Sequence, residues 1–258
     1  GARPIRGPLQ GNATERVMSV NSLDDFASFH EQLGRGDGSP VNQVLIKGAG
    51  LIGCEFANDL VLGGYEVDVI DLAPQALGRL LPAEAAKELQ DKLSAAGVRW
   101  HFATTLQSID HQNGALEITL ANGTRLNSDV VLSAVGLKPR LDLAKAAGLQ
   151  VNVGIVVNRE LETSAKNIFA IGDCAEVDGL VLPYVMPIMQ AARALAPTLT
   201  GQTTALSYPA MPVMVKTPAL PTVVSPPAKG ASGQWKTTML DGGVEARFES
   251  PEGKLLGF

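Results

Sequence analysis

Residues 44–71, VLIKGAGLIGCEFANDLVLGGYEVDVID, carry a strand, a glycine turn, a helix, a second strand and a terminal acid in one continuous run. The apolar run Val44-Leu45-Ile46 passes through Lys47 into Gly48-Ala49-Gly50-Leu51-Ile52-Gly53. This matches GxGxxG between a strand and a helix, the context in which that pattern is informative. Each glycine has a physical task. Gly48 permits the tight turn and Gly50 lets backbone amides come close to a pyrophosphate. Gly53 lets the helix pack on the strand while free N–H groups at the helix start face the anion. The pattern predicts a helix over 51–62 stopped by Gly63-Gly64, then an alternating strand over 65–70 that ends in Asp71. Asp71 lies 18 positions past the third glycine (71 − 53 = 18). A carboxylate at that strand tip can accept both hydroxyls of an adenosine ribose and repels a 2′-phosphate, so the stretch reads as a dinucleotide site favouring NAD over NADP. Gly48, Gly50, Ile52, Gly53 and Asp71 are its candidate binding residues. Lys47 reads as a strand-end lysine reaching solvent.

Composition narrows the class around this stretch. A chain of 258 residues, 45% of them hydrophobic, exceeds one ordinary core and predicts two or three domains. No uninterrupted apolar segment approaches the roughly 20 residues that cross a bilayer, and the start GARPIRGPLQG has no signal-peptide core. The expectation is a soluble, cytoplasmic protein. A net charge of -5 and a pI near 5.3 argue against nucleic acid, whose binding needs a basic face. Cys54 and Cys174 form no CxxC or other close pair, which predicts a reducing compartment and packing roles for both. His30, His101 and His111 have no metal-ligand spacing, so no metal site is expected.

On the N-terminal side, residues 1–21 are rich in Gly and Pro without periodicity and read as an extended connector, the tail of something else. Ser22-Leu23-Asp24-Asp25 opens a helix to about residue 33, with Leu23, Phe26, Phe29 and Leu33 on one face, and GRGDGSP (34–40) ends it. Beyond Asp71, a second amphipathic helix follows Pro82 and stops at Gly97. Strands are predicted over 98–102, 116–120 and 130–135, with Asn113-Gly114 and Asn122-Gly123 as turns. Residues 22–137 are thus expected to form a compact nucleotide-binding domain.

After Gly136-Leu137-Lys138-Pro139 come a short helix through 147 and strands over 155–157 and 168–171, the second ending in Gly172-Asp173-Cys174-Ala175. An acid placed there can hydrogen-bond a ligand hydroxyl in the crevice at the strand's carboxyl end. Pro187 is expected to open a helix through 196 whose positive N-terminus suits an anionic or electron-rich ligand. From Tyr208 proline density rises, and β-runs over 213–216, 222–225, 235–240 and 244–249 predict a third, smaller unit. Its last hairpin, ARFES-PEG-KLLGF, stops at Phe258 within the returning strand, which is expected to leave ladder groups unpaired and reads as a chain cut at both ends.

AVGLKP (134–139), TSAKNIFAIGDCAE (163–176) and MPVMVKTPALPTVVSPP (211–227), together with GAGLIGCEFANDL and GDCAEVDGL, make the chain resemble the rubredoxin–NAD(+) reductase-like, FAD-dependent pyridine nucleotide-disulfide oxidoreductase family. The resemblance covers essentially all 258 residues. It implies an α/β fold in which a Rossmann-like NAD-binding domain is inserted in an FAD-binding domain, with part of a small α+β C-terminal domain. The implied segments are a remnant of the FAD domain and linker at 1–21, the NAD domain at 22–137, the second part of the FAD domain at 138–205 and an interface domain at 206–258. The implied cofactors are FAD and NAD, and the implied activity passes electrons from NADH through FAD to rubredoxin or a similar small iron–sulfur protein. Other FAD oxidoreductases of the ferredoxin, nitrite or disulfide reductase type are the alternative, as is a non-catalytic nucleotide-binding protein of this fold. By the same resemblance Asp173 binds the ribityl chain of FAD, Gly136 marks the crossing back from the NAD domain, and Glu55 lies near the nicotinamide. The helix after Met186-Pro187 points at the flavin pyrimidine edge, and Lys216 lies near the isoalloxazine. Hydride transfer requires no acid–base side chain, so none is assigned as catalytic. One departure stands out: the family carries an earlier GxGxxG for the FAD adenosine diphosphate, and this sequence contains a single such motif.

Overall fold

The computed structural model describes residues 1–34, 41–112 and 114–258, and within it the chain divides into two compact units. The larger comprises Arg6–Gly136 and Pro212–Phe258, the smaller Gly1–Ile5 and Leu137–Met211.

The larger unit is built on a parallel sheet of five strands. In spatial order they are Val17–Met18, Val130–Ser133, Gln43–Lys47, Glu66–Ile70 and Val98–His101. The central strand Gln43–Lys47 is buried on both faces, as an apolar run without alternation requires. Val44 and Ile46 join Val67, Val69, Val130 and Leu132 under the helices, while Leu45, Ile70 and Val131 meet the opposite layer. The helices Leu23–Gly34, Leu51–Leu62 and Ala83–Ala96 cover the first face through Phe29, Ala57, Leu60, Leu89 and Leu93. Phe29 and Phe56 meet edge to face with ring centroids 5.5 Å apart. The arginine and histidine of the outer strand gather on Asp68, which Arg99 grips through two nitrogens at 3.1 and 2.8 Å and His101 through Nε2 at 2.8 Å.

The opposite face carries an antiparallel sheet of Leu106–Gln112, Ala115–Leu120 and Arg125–Ser128. Its first and last strands have no counterpart in the sequence reading. A bulge between Leu106 and Ser108 breaks the two-residue period, so that Leu106 and Ile109 both enter the core at a spacing of three. The turn at Asn122-Gly123 forms, with Gly123 at φ +87° and its N–H bonded to the Leu120 carbonyl. Asn113 and residues 35–40 of GRGDGSP lie outside the described residues. The N-terminal stretch, expected to be featureless, carries strands Ala2–Pro4 and Val17–Met18 and a 3₁₀ turn at Thr14–Arg16. Each of these short strands is fixed by a partner far along the chain, Leu137–Pro139 and Val130–Ser133, which local sequence does not reveal.

The C-terminal ribbons belong to the same unit. Val213–Val215 pairs antiparallel with Thr222–Val224, and Val215 and Val224 are fully buried in the core beneath Leu51–Leu62. Gln234–Leu240, Gly243–Glu249 and Leu255–Gly257 form a three-stranded sheet. The expectation of unpaired groups at its end is corrected, because the N–H and C=O of Phe258 both bond to Ser225, at 2.9 and 2.8 Å.

The smaller unit pairs Ala2–Pro4 with Leu137–Pro139 and Ile155–Val157 with Ala175–Val177, and adds the helices Asp142–Ala146 and Val185–Leu199. Val157, Leu161, Val177, Ala191, Ala194 and Leu206 fill its core. No strand forms over 168–171, where only Phe169 bridges to Glu162. Gly172, at φ +83°, turns the chain, and the ladder forms one step later at Ala175–Val177, where buried Glu176 takes Asn152 Nδ2 and the Gly154 N–H on its two oxygens. Gly172-Asp173 therefore precedes a strand instead of following one. The helix expected at Pro187 starts at Val185, with Tyr184 as its N-cap. Pro187 sits in the first turn, where a missing N–H is harmless.

Candidate functional site

The glycine turn connects Gln43–Lys47 to Leu51–Leu62, and its three glycines differ in what surrounds them. Gly48 has φ +111°, and a Cβ there would lie 2.6 Å from the Ala134 carbonyl oxygen. A Cβ on Gly53 would collide with the carbonyl of Gly48. A Cβ on Gly50 would meet nothing within 4 Å. Two glycines thus allow the chain to close on itself, while the middle one borders open space at an uncapped helix start, as an approaching anion requires. Ile52, 52% exposed, stands on the first turn of that helix.

Ala49, between the first two glycines, is held at both its polar groups. Its N–H donates to Asp71 Oδ2 at 2.6 Å, and its carbonyl accepts the Leu77 N–H at 2.9 Å and the Cys54 thiol at 3.5 Å. The Asp71 Oδ1 accepts the Ala73 N–H at 2.7 Å. Asp71 lies one residue beyond the strand, and each of its oxygens keeps a lone pair after these bonds, so the acid that braces the turn can still accept from a ligand. Cys54 is fully buried. Burial, followed by the charges of Asp71 and Glu55, pushes its thiol up to about 12, so it acts as a neutral donor. Leu77 holds the left-handed conformation at φ +50° with its side chain in the core, a strained position that burial and the bond to Ala49 sustain. Nothing local in APQALGRLLP marks Leu77 for this task. Lys47 is half-buried, where solvent had been expected, and burial lowers its pKa.

Two further candidates come together on the same helix. Glu55 accepts the backbone N–H of Lys216 on Oε1 at 2.9 Å. One turn on, Asn58 Oδ1 accepts the Ala219 N–H at 3.1 Å. The Lys216 side chain is exposed and its ammonium has no ion-pair partner among the described residues. Gly136, at φ +100°, is the last residue of this unit before the chain enters the smaller one.

In the smaller unit Asp173 follows Gly172 in a turn, half-buried, its carboxylate without a hydrogen bond or ion pair among the described residues. Gly172 and Pro187 line one small cleft with Leu161, Ala175, Ala191 and Tyr208, which sets this turn beside the start of Val185–Leu199. Tyr184 supplies no side-chain cap there, and Met186, in the first turn, is 45% exposed. Among the described residues no group of three or more His, Cys, Asp or Glu could hold a metal, and no helix is long and apolar enough to cross a membrane.

Residues 1–196 match the family model of the pyridine nucleotide-disulphide oxidoreductases, and residues 205–258 match that of the rubredoxin binding C-terminal domain. The chain is 48% identical to rubredoxin-NAD(+) reductases of Acinetobacter baylyi and Alcanivorax borkumensis, over 260 and 259 residues. It aligns over all of its own length and 65% and 66% of theirs. It spans, that is, just under two thirds of the length of these relatives. Among solved structures, a ferredoxin reductase from Rhodopseudomonas palustris superposes with a TM-score of 0.88 at 28% identity, covering 100% of this chain and 64% of the other. With a doubly covered parallel sheet, a preformed glycine turn and a family match over residues 1–196, the chain belongs to the pyridine nucleotide-disulphide oxidoreductase family.

Proposed function

We propose that the protein is a cytoplasmic, NADH-dependent, FAD-containing reductase that passes electrons to rubredoxin or a similar small iron–sulfur carrier. The observation that carries this reading is the bond between Glu55 and the Lys216 amide, since it joins the helix of the dinucleotide turn to the segment matching the rubredoxin-binding domain. The relatives named for rubredoxin-NAD(+) reductase support the choice of carrier.

The residues fit the two dinucleotides unequally. For NADH, the open space over Gly50 and the amides at Gly50, Leu51 and Ile52 would take the pyrophosphate, Gly48 and Gly53 would keep the turn closed, and Asp71 would accept the adenosine ribose hydroxyls. For FAD, Asp173 would take the ribityl chain and the amides of Val185 and Met186 the pyrimidine edge. Glu55 is assigned to the nicotinamide end and Lys216 to the isoalloxazine, with Gly136 as the crossing between the segments. In this division residues 22–137 serve NAD, 138–205 serve FAD together with the start of the 1–21 segment, which then links into the NAD sheet at Val17–Met18, and 206–258 serve the interface with the carrier. Bound FAD would supply the conversion of a two-electron hydride into single electrons, while the side chains bind, orient and exclude water. No side chain of this chain is asked to give or take a proton.

The test is an anaerobic titration of the full-length protein. NADH is expected to bleach the flavin band, and oxidised rubredoxin to restore it. A band unchanged by NADH, or one that neither rubredoxin nor another small iron–sulfur protein restores, would overturn the proposal.

A further inference from the structure

Asn58 has no place in the chemistry just described, yet it is the least expected residue on its helix. It sits mid-helix, 1% exposed, and its Nδ2 finds no hydrogen-bond partner. An alanine or leucine in that position would leave no buried donor unsatisfied, so the amide must be judged by what its other atom does. Oδ1 accepts the N–H of Ala219. Glu55, three residues earlier and on the same face of the helix, accepts the N–H of Lys216, three residues before Ala219. Two helix side chains thus hold two amides of one turn, in matching order.

The turn itself is internally closed. Thr217, fully buried, donates Oγ1–H to the Leu220 carbonyl at 2.8 Å, and the Leu220 N–H returns to the Thr217 carbonyl at 3.0 Å. Ala219 and Leu220 also pack on the core that the helix shares with Val215 and Val224. A body braced in this way moves as one piece, so a hold on Ala219 is a hold on Lys216. The Lys216 ammonium has no ion-pair partner among the described residues, and Glu55 Oε1 meets this residue through its backbone N–H.

We infer that Asn58 is a positioning residue. With Glu55 it fixes the 216–220 turn on the dinucleotide helix and so sets where Lys216 presents its charge. The consequence for electron flow rests on the reading of Lys216 as a flavin contact. The bracket itself does not.

Two measurements on the full-length protein with bound FAD separate these. In Asn58→Ala, hydrogen exchange of the amides in 216–220 is expected to rise about tenfold while peptides spanning 48–53 stay within about twofold. Equal protection of 216–220 in variant and wild type would overturn the inference. Asn58→Asp keeps the acceptor oxygen, so it is expected to recover at least part of that protection. A loss as large as that of alanine would count equally against the bracket. In the second measurement Asn58→Ala is expected to slow flavin bleaching at saturating NADH about tenfold, and less than about twofold once Lys216→Met is present. A slowing carried unchanged into the Lys216→Met background would overturn positioning through Lys216. If Lys216→Met alone leaves bleaching as in wild type, the flavin contact is refuted, and the exchange measurement alone decides the bracket.

Discussion

The glycine turn at Gly48–Gly53 and the turn at Gly172–Cys174 each pair an aspartate with a glycine of positive φ, yet the two acids live differently. Asp71 has both oxygens engaged by backbone amides and, with Leu77 and Cys54, holds Ala49 in place. Among the described residues Asp173 holds nothing. The first turn is finished before a ligand arrives, so a dinucleotide bound there is spared the cost of ordering the backbone. The second keeps its acceptor capacity in reserve, and its carboxylate contributes only once something occupies it. Damage should therefore fall on stability and binding together at the first turn, and on binding alone at the second.

The sharpest break in this contrast would come from the flavin. The 258-residue sequence contains one GxGxxG motif, and the phosphate contacts that a second would provide are worth about 1.5 to 3 kcal/mol each. Expressed alone, it is expected to bind NADH in calorimetry and to purify without stoichiometric FAD. A yellow protein would show that the reserve at Asp173 suffices by itself. Next in size is Gly53→Ala, whose methyl group meets the Gly48 carbonyl. It should cost about 3 kcal/mol of stability and abolish measurable NADH binding. Retained wild-type affinity would mean that the turn is not preformed.

Asp71→Asn should lose about 2 kcal/mol, because an amide NH₂ must then face a backbone N–H, and should narrow the preference for NADH over NADPH, mainly by weakening NADH. Asp173→Ala should stay within about 0.5 kcal/mol of wild type in the melting curve. Equal losses in the two variants would erase the distinction. In the wild type NADH should bind about tenfold tighter than NADPH, roughly 1.4 kcal/mol, and equal affinities would remove the ribose reading of Asp71. The smallest effect concerns the thiol beneath the turn. Its pKa is raised by folding from 9.0 to about 12, so the stability it lends is full below pH 9 and is lost as pH climbs towards 12. Wild type should therefore lose stability relative to Cys54→Ala across that window, and parallel alkaline curves would contradict the buried, neutral thiol.

Residues 44–71 were legible because each step there is signalled locally: an apolar run, glycines at fixed offsets, a helix stop and an alternating strand. Where local signals failed, a longer-range effect had taken over. Ile168-Phe169-Ala170-Ile171 has strand composition, but Gly172 turns the chain and the ladder goes to Ala175–Val177. Leu106–Gln112 lost its alternation to a bulge. Leu77 and Asn58 carry no mark at all, since what they do depends on Ala49 in one case and on Ala219, 161 positions away, in the other. The candidate Asp71 was visible as an acid at a strand tip, but its grip on the turn was not.

That separation of 161 positions also places a clock on the making of the molecule. Part of the surface of the helix Leu51–Leu62 is covered by Val215, Val224 and the 216–220 turn, so that part stays bare until they emerge from the ribosome. At about 5–20 residues per second, that wait is on the order of 10–30 s. Throughout it the side of the helix that faces the ribbon stays open to solvent, a natural landing place for a holdase.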